Sequence, residues 1–134
     1  MIRRYTDNPF KQVVYPFPSE DKAGIQNVIA TKADTDGALN QWARSVLMPG
    51  CSIPLHPHDN TQEVFVMVSG FASYNDNGEE TIVGPGDVMY VRAGQSHAIG
   101  NPFKEPAVVF ELNLPDKPTG EDRNKTAMGM GFKI

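Results

Sequence analysis

Cysteine is almost absent from this chain of 134 residues, in which Cys51 is the only example. A single cysteine excludes an intrachain disulfide and a zinc site built from several thiolates. We interpret Cys51 as a small, half-buried apolar residue, and the alternative is a reactive thiol. The packing interpretation is favoured because no histidine is free to activate such a thiol.

Long apolar runs and clustered basic residues are also missing. No segment approaches the length that crosses a bilayer, and the first ten residues lack the apolar run of a signal peptide. We therefore expect a cytoplasmic location and no membrane partner. The formal net charge is -4 and the basic residues are scattered apart from Arg3 and Arg4. A nucleic-acid partner is not expected for such a charge distribution.

Internal repeats, heptads and phosphate-binding glycine loops are absent as well, and this excludes Rossmann and P-loop chemistry. The chain instead has 12 glycines and 11 prolines, which divide it into short segments. Several segments are rich in β-branched residues, and an Asn77-Gly78 pair between two of them is typical of a hairpin. The pattern predicts an all-β sandwich or barrel. The predicted strands are 12–15, 26–31, 39–48, 63–70, 71–75, 80–83, 87–91, 97–100 and 107–114.

The sequence predicts three segments, which are an N-terminal arm (1–24), one barrel domain (25–114) and a C-terminal tail (115–134). The arm carries more apolar surface than a free tail should expose, so we expect a homodimer in which it packs on a partner. The alternative is an arm that folds back on its own barrel. The tail is polar, and either moves freely or covers a partner. The aromatic residues of the arm are Tyr5, Phe10, Tyr15 and Phe17.

The three histidines are placed in a way that predicts a metal site. His56 and His58 flank Pro57, which keeps the segment extended, so both imidazoles share one face about 6.6 Å apart along the backbone. Glu63 follows after a turn that would bring its carboxylate back beside them. Considered alone, a histidine such as His97 is more often an ordinary core or surface residue than a metal ligand. All three histidines together with Glu63 form a set that suits a metal ion.

The same residues carry a resemblance to the cupin superfamily, and in particular to small single-domain cupins. The first motif is Gly50-x5-His56-x-His58-x4-Glu63-x6-Gly70, and the second is Gly86-x5-Arg92-x-Gly94-x2-His97-x3-Asn101. The resemblance implies a double-sheet jelly-roll β-barrel that holds a metal ion on three histidines and one glutamate. Arg92 stands where the family usually has proline. We interpret it as a surface charge, and the alternative is a substrate clamp.

The expected cofactor is one divalent transition metal ion bound by His56, His58, Glu63 and His97. Such ligands suit Fe, Mn, Ni, Co, Cu or Zn, and the sequence does not choose among them. Strand alternation from Glu63 directs Phe65 and Met67 into the barrel. Both are candidate substrate-binding residues, and the alternative for each is core filling. No catalytic acid or base is identified.

Two functions are compatible with such a site. The first is a metal-dependent enzyme that acts on a small organic acid, phenol or sugar derivative, as an oxygenase, isomerase, decarboxylase or lyase. The second is a non-catalytic module that binds or senses a small molecule anchored on the metal. Intact metal ligands favour the enzyme, but resemblance to the family does not identify a substrate.

Overall fold

The computed structural model describes residues 2, 4, 12–15 and 24–116, and these form strands and turns without a helix. Every predicted strand is present, with ends that shift by two residues at most. The histidine segment, which the sequence predicts only to be extended, is a strand as well. The strands of the described residues are β1 (Gln12–Tyr15), β2 (Gly24–Thr31), β3 (Gln41–Leu47), β4 (Ser52–Pro57), β5 (Thr61–Ser69), β6 (Ala72–Asp76), β7 (Glu79–Val83), β8 (Val88–Val91), β9 (Ser96–Gly100) and β10 (Ala107–Pro115).

The strands form two antiparallel sheets. One sheet has six strands in the order β1-β2-β3-β10-β5-β8, and the other has four in the order β4-β9-β6-β7. Strands far apart in the chain are therefore neighbours, as when β10 lies between β3 and β5. This crossing of connections between two sheets is the jelly-roll arrangement, so the predicted fold class is confirmed.

The predicted Asn77-Gly78 turn joins β6 to β7. Both residues have positive φ, 51° for Asn77 and 107° for Gly78. Asparagine and glycine adopt this conformation at lower cost than other residues. Asn75 also accepts a 2.8 Å hydrogen bond from the amide of Gly78 through its side-chain oxygen. The turn fixes the register in which Asp76 faces Glu79.

Strand β3 shows which of its faces lies inside, a question that the sequence leaves open. Ala43 and Ser45 are buried, whereas Trp42 is 39% exposed. Trp42 packs on the outer face against Phe110 of the neighbouring strand, with ring centroids 6.3 Å apart. The inner face of the six-stranded sheet is therefore lined by small residues at this point, which leaves room for a cavity.

The inner face of this sheet is apolar at one end. Leu47, Met67 and Val109 are each 1% exposed and pack together in the core. Cys51 belongs to the same core and is also 1% exposed, and burial raises the pKa of its thiol. A buried, protonated thiol supports the packing interpretation of Cys51.

The arm contributes one described strand, and it pairs with the same chain. Strand β1 lies antiparallel to β2, with Gln12 opposite Asn27. The aromatic residues Tyr5, Phe10 and Phe17 lie outside the described residues, as does the tail from residue 117 onward. Among the residues described, no helix capable of spanning a membrane occurs. The cytoplasmic location stays a prediction.

Candidate metal centre

The four predicted metal ligands come from both sheets and meet inside the molecule. His56 on β4 lies opposite His97 on β9 in the four-stranded sheet. His58 follows β4 directly, and the chain then reverses into β5 of the other sheet, which carries Glu63. One ligand atom from each residue lies within 4.8 Å of the others. The expected reversal between His58 and Glu63 is thus present.

The distances between the ligand atoms are short. Nε2 of His97 lies 3.0 Å from Nε2 of His58 and 3.2 Å from Nε2 of His56. Oε2 of Glu63 lies 3.0 Å from Nε2 of His58 and 3.2 Å from Nε2 of His97. Neighbouring donors around one ion at about 2.0–2.2 Å are about 3 Å apart, so the spacing fits a single transition metal ion.

The hydrogen bonds of the histidines also fit a metal. Nδ1 of His56 lies 2.7 Å from the carbonyl oxygen of Pro54, which can only accept, so Nδ1 carries the proton. Nε2 of His56 then presents its lone pair to the centre. The hydroxyl oxygens of Thr61 and Tyr74 lie 3.0 Å and 3.2 Å from Nδ1 of His58 and of His97 respectively. Each imidazole is thereby oriented from behind, as in known metal sites.

Glu63 is held by an amide on the side away from the histidines. Asn113 donates a 3.0 Å hydrogen bond to Oε1 of Glu63, and Asn40 in turn donates to Asn113 at 2.8 Å. Burial alone would raise the pKa of Glu63, but its side-chain contact with His97, its electrostatic attraction to His58 and the hydrogen bond from Asn113 together lower it. The carboxylate is therefore ionised at neutral pH, which is the form that binds metal.

The pKa of His58 is lowered, mainly because burial penalises its charged form. Glu63 opposes this shift, whereas His97 and His56 add to it. A lowered pKa keeps the imidazole neutral at physiological pH, as a metal ligand must be. His58 thus presents a neutral nitrogen donor, and Glu63 a negative oxygen, to the same point.

The two candidate substrate-binding residues have different surroundings. Phe65 is 3% exposed, and its ring centroid lies 5.2 Å from that of His97. Phe65 also lines the cavity beside His56, Glu63 and His97. Met67 lies one alternation further along β5 and packs in the core with Leu47 and Val109. A role in substrate binding stays a prediction for both residues.

Arg92 lies on the surface, in a turn that forms without the usual proline. The amide of Gln95 donates to the carbonyl of Arg92 at 3.1 Å, and Gly94 supplies the positive φ of 86°. The guanidinium carbon lies 6.0 Å from the centroid of the Tyr90 ring. These contacts support the interpretation of Arg92 as a surface charge.

Two cavities lie beside the predicted ligands, and both are lined by Glu63 and Glu111. The smaller cavity has a volume of about 110 Å³ and lies in front of the histidines. The larger has a volume of about 390 Å³ and lies along the polar end of the six-stranded sheet. The smaller is lined by Ile53, His56, Glu63, Phe65, His97, Ile99 and Glu111. The larger is lined by Gln26, Asn40, Gln41, Thr61, Glu63, Glu111 and Asn113.

Glu111 is a functional candidate that sequence reasoning missed. Its Oε1 accepts a 2.8 Å hydrogen bond from Ser45 and a second hydrogen bond from the side-chain amide of Gln26. Burial raises the pKa of Glu111 to about 7, with Ser45 opposing the shift and Glu63 adding to it. The signal in the sequence is strand alternation, which places the carboxyl group of Glu111 on the same face of β10 as the buried Val109.

Replacing Glu111 with Gln is expected to flatten the pH dependence of stability in the metal-free protein. The folded pKa of about 7 exceeds the ordinary value of 4.5 for a glutamate, so the folded state retains a proton that the unfolded state has lost between these pH values. The free energy of unfolding of the wild type should fall by about 1–3 kcal/mol as pH rises through this window. In Glu111→Gln this decrease should be absent, because glutamine does not titrate. Urea unfolding at several pH values measures it. Equal slopes for wild type and variant would contradict the assignment, and exposed Glu79→Gln is the control.

Replacing Tyr74 with Phe is expected to lower metal affinity about tenfold without unfolding the protein. The change removes the hydroxyl that hydrogen-bonds with Nδ1 of His97, and loss of such a supporting partner commonly costs about 10–100-fold. Competition with a chelating dye measures the affinity. Tyr90→Phe is the matched control, because that hydroxyl bonds Gln62 rather than a histidine. Identical affinities for the two variants would contradict a supporting role for Tyr74.

Comparison with known proteins agrees with the geometry. The family model described as "Cupin_2: Cupin domain" matches residues 43–113. The oxalate-binding protein of Thermotoga maritima is 37% identical over 60 residues, which are 45% of this chain and 50% of that protein. The tetracenomycin polyketide synthase protein TcmJ of Streptomyces glaucescens is 27% identical over 97 residues, 72% of this chain and 65% of that protein. The matches thus span between half and two thirds of these relatives.

Among solved structures, a crystal structure of a predicted oxalate decarboxylase from Thermotoga maritima is similar to this chain, with a TM-score of 0.77 and 22% sequence identity. The similarity covers 86% of this chain and 99% of that one, and at this identity it is evidence for the fold. The matched residues include strands of both sheets and all four converging residues. The chain is a member of the cupin family.

Proposed function

We propose that this protein is a metal-dependent enzyme that acts on a small organic acid, phenol or sugar derivative. The observation that carries the proposal is the convergence of three imidazole nitrogens and one carboxylate oxygen beside a cavity. His56, His58, Glu63 and His97 would hold one divalent transition metal ion. The relative named as oxalate-binding favours a small organic acid among these substrate classes.

The metal would supply a Lewis acid that binds and polarises oxygens of the substrate. The chain supplies the surroundings of that chemistry. Ile53, Phe65 and Ile99 line the small cavity and reduce the access of water to the reacting atoms. Glu111 lines the same cavity and places a second carboxyl group near the substrate. The reaction is therefore expected to take place in a partly apolar chamber with one additional proton-binding group.

Turnover by the metal-loaded protein is the direct test. The protein would be purified without added metal, its metal content measured, and the matching ion restored to full occupancy. Small acids, phenols and sugar derivatives would then be incubated with it, and oxygen consumption and product formation followed by electrode and NMR. The proposal expects at least one compound to be converted by wild type and not by His97→Ala. If the fully metal-loaded protein binds some of the compounds but converts none of them, the proposal of an enzyme is rejected.

A second candidate is a non-catalytic module that binds a small molecule on the metal. The observation that favours it is the name of the Thermotoga relative, which describes binding and no reaction. Saturable binding of an acid that is recovered unchanged would support this candidate. Conversion of the bound acid would reject it.

We also propose that two copies of the chain form a homodimer. Strand β1 is an edge strand, and large apolar side chains are exposed on the outer surface, among them Val68 at 45%, Phe71 at 55% and Val88 at 62%. Open edges and apolar surface of this kind favour association. Light scattering at micromolar concentration should give twice the mass of the chain. A monomer unaffected by deletion of residues 1–24 would reject the dimer.

A further inference from the structure

The larger cavity continues from the metal centre along the polar end of the six-stranded sheet. Its walls combine the side-chain amides of Gln26, Gln41 and Asn113 with the carboxyl groups of Glu63 and Glu111. Glu63, a predicted metal ligand, and Glu111 also line the small cavity, so the two cavities are neighbours beside the predicted metal site. At about 390 Å³ the larger cavity falls within the range of pockets that hold small molecules.

One oxygen of Glu111 is free to meet a ligand. Oε1 accepts hydrogen bonds from Ser45 and Gln26, whereas Oε2 has no hydrogen bond to the described residues. No fully buried side-chain oxygen or nitrogen among those residues lacks a partner. Oε2 of Glu111 is therefore accessible, and its residue faces both cavities. The bonds to Oε1 hold the carboxyl group in place.

The chemistry of the lining selects a class of ligand. None of the described residues that line the larger cavity is lysine or arginine, so a phosphate or a second carboxylate would find no opposite charge there. Amides both donate and accept hydrogen bonds, and a carboxyl group accepts them. Such a lining matches hydroxyl groups, which also donate and accept.

We propose that Gln26, Gln41 and Glu111 form a subsite for the hydroxyl groups of a polyhydroxy acid whose carboxyl end is bound at the metal. The inference rests on the proposed function, since it needs the metal to bind that carboxyl end. It narrows the substrate to hydroxylated acids of the sugar-acid type. Glu111 is in this account a specificity-determining residue that contacts the hydroxylated end of the ligand.

The test compares two acids that share a metal-binding end and a six-carbon chain. Gluconate and 2-hydroxyhexanoate both carry a carboxylate and a 2-hydroxyl group, but only gluconate has four further hydroxyls. Galactonate and mannonate are included so that hydroxyl stereochemistry does not decide the result. Binding to the Mn(II)-loaded full chain is measured by calorimetry, with lactate as the probe of the metal-binding end alone.

We expect at least one of the three sugar acids to bind about tenfold or more tightly than 2-hydroxyhexanoate, since each hydroxyl that gains partners contributes a net hydrogen bond. Glu111→Ala should remove this preference and leave Mn(II) content unchanged. Gln41→Ala tests the subsite a second time, from another strand. Glu79→Ala, an exposed glutamate on β7, is the matched control and should keep the preference.

The outcomes separate the two proposals. If lactate binds but no sugar acid binds more tightly than 2-hydroxyhexanoate, or if the preference survives both variants, the subsite is rejected while metal-anchored binding stands. If neither lactate nor any sugar acid binds the Mn(II)-loaded protein, the metal-anchored function is rejected and the subsite with it. A preference lost in both Glu111→Ala and Gln41→Ala and kept in Glu79→Ala supports the subsite.

Discussion

Metal affinity is expected to fall at least about 100-fold when His58 is replaced by Ala or Glu63 by Gln. Each change removes one of the four atoms that meet within 4.8 Å. Loss of a residue that only supports a ligand commonly costs about 10–100-fold, so the loss of a direct donor should cost at least as much. Glu63→Gln also replaces a carboxylate, whose pKa is lowered at this position, with a neutral amide.

Elemental analysis after purification without added metal measures the effect, and competition with a chelating dye gives the affinity. The fold should persist, because the core around Leu47, Met67 and Val109 is built from apolar residues other than the four ligands. Exposed Glu105→Gln is the control for Glu63→Gln and should retain full metal content. Full metal content in His58→Ala and Glu63→Gln would show that the ion binds elsewhere. Unfolding of both variants on metal loss would instead indicate a structural metal.

The largest loss of stability is expected from Gly70→Ala, in the turn between β5 and β6. Gly70 has a φ of +73°, and an added Cβ would lie 2.5 Å from the carbonyl oxygen of Pro106 and 2.8 Å from Cα of Ala107. Both are backbone atoms next to or within β10, so neither can rotate away. Backbone strain and this clash together should lower the free energy of unfolding by about 3–5 kcal/mol.

Gly86→Ala is the matched control for this substitution. Gly86 also has a positive φ, +91°, but an added Cβ would meet nothing within 4 Å. It should therefore cost only the left-handed backbone conformation, about 1–2 kcal/mol. Urea unfolding of both variants gives the comparison. Equal losses would show that β10 does not approach Gly70 as closely as the structure has it.

Much of the fold could be predicted because its signals are local. Period-two alternation and β-branched residues identify β5 and β10, and Asn77-Gly78 identifies a hairpin from two residues. The order of the strands could not be predicted, since the pairing of β10 with β3 and β5 depends on contacts between distant segments. Strand β4 carries two prolines, Pro54 and Pro57, which obscure its strand pattern.

The same distinction applies to the candidate site. His56, His58 and Glu63 lie within eight residues of one another, so their spacing carries information that can be read directly. Glu111 was missed because its partner Gln26 is 85 residues away, and only the assembled sheet brings them together. Tyr74 was missed for the same reason, since its contact with His97 joins two strands of the other sheet.

A crystal structure of the metal-loaded protein, with diffraction data collected at the absorption edge of the bound ion, tests the central claim most directly. The account predicts one anomalous peak per chain, bonded to Nε2 of His56, His58 and His97 and to a carboxylate oxygen of Glu63. A peak at any other position, or fully loaded protein without a peak between these four side chains, would contradict it.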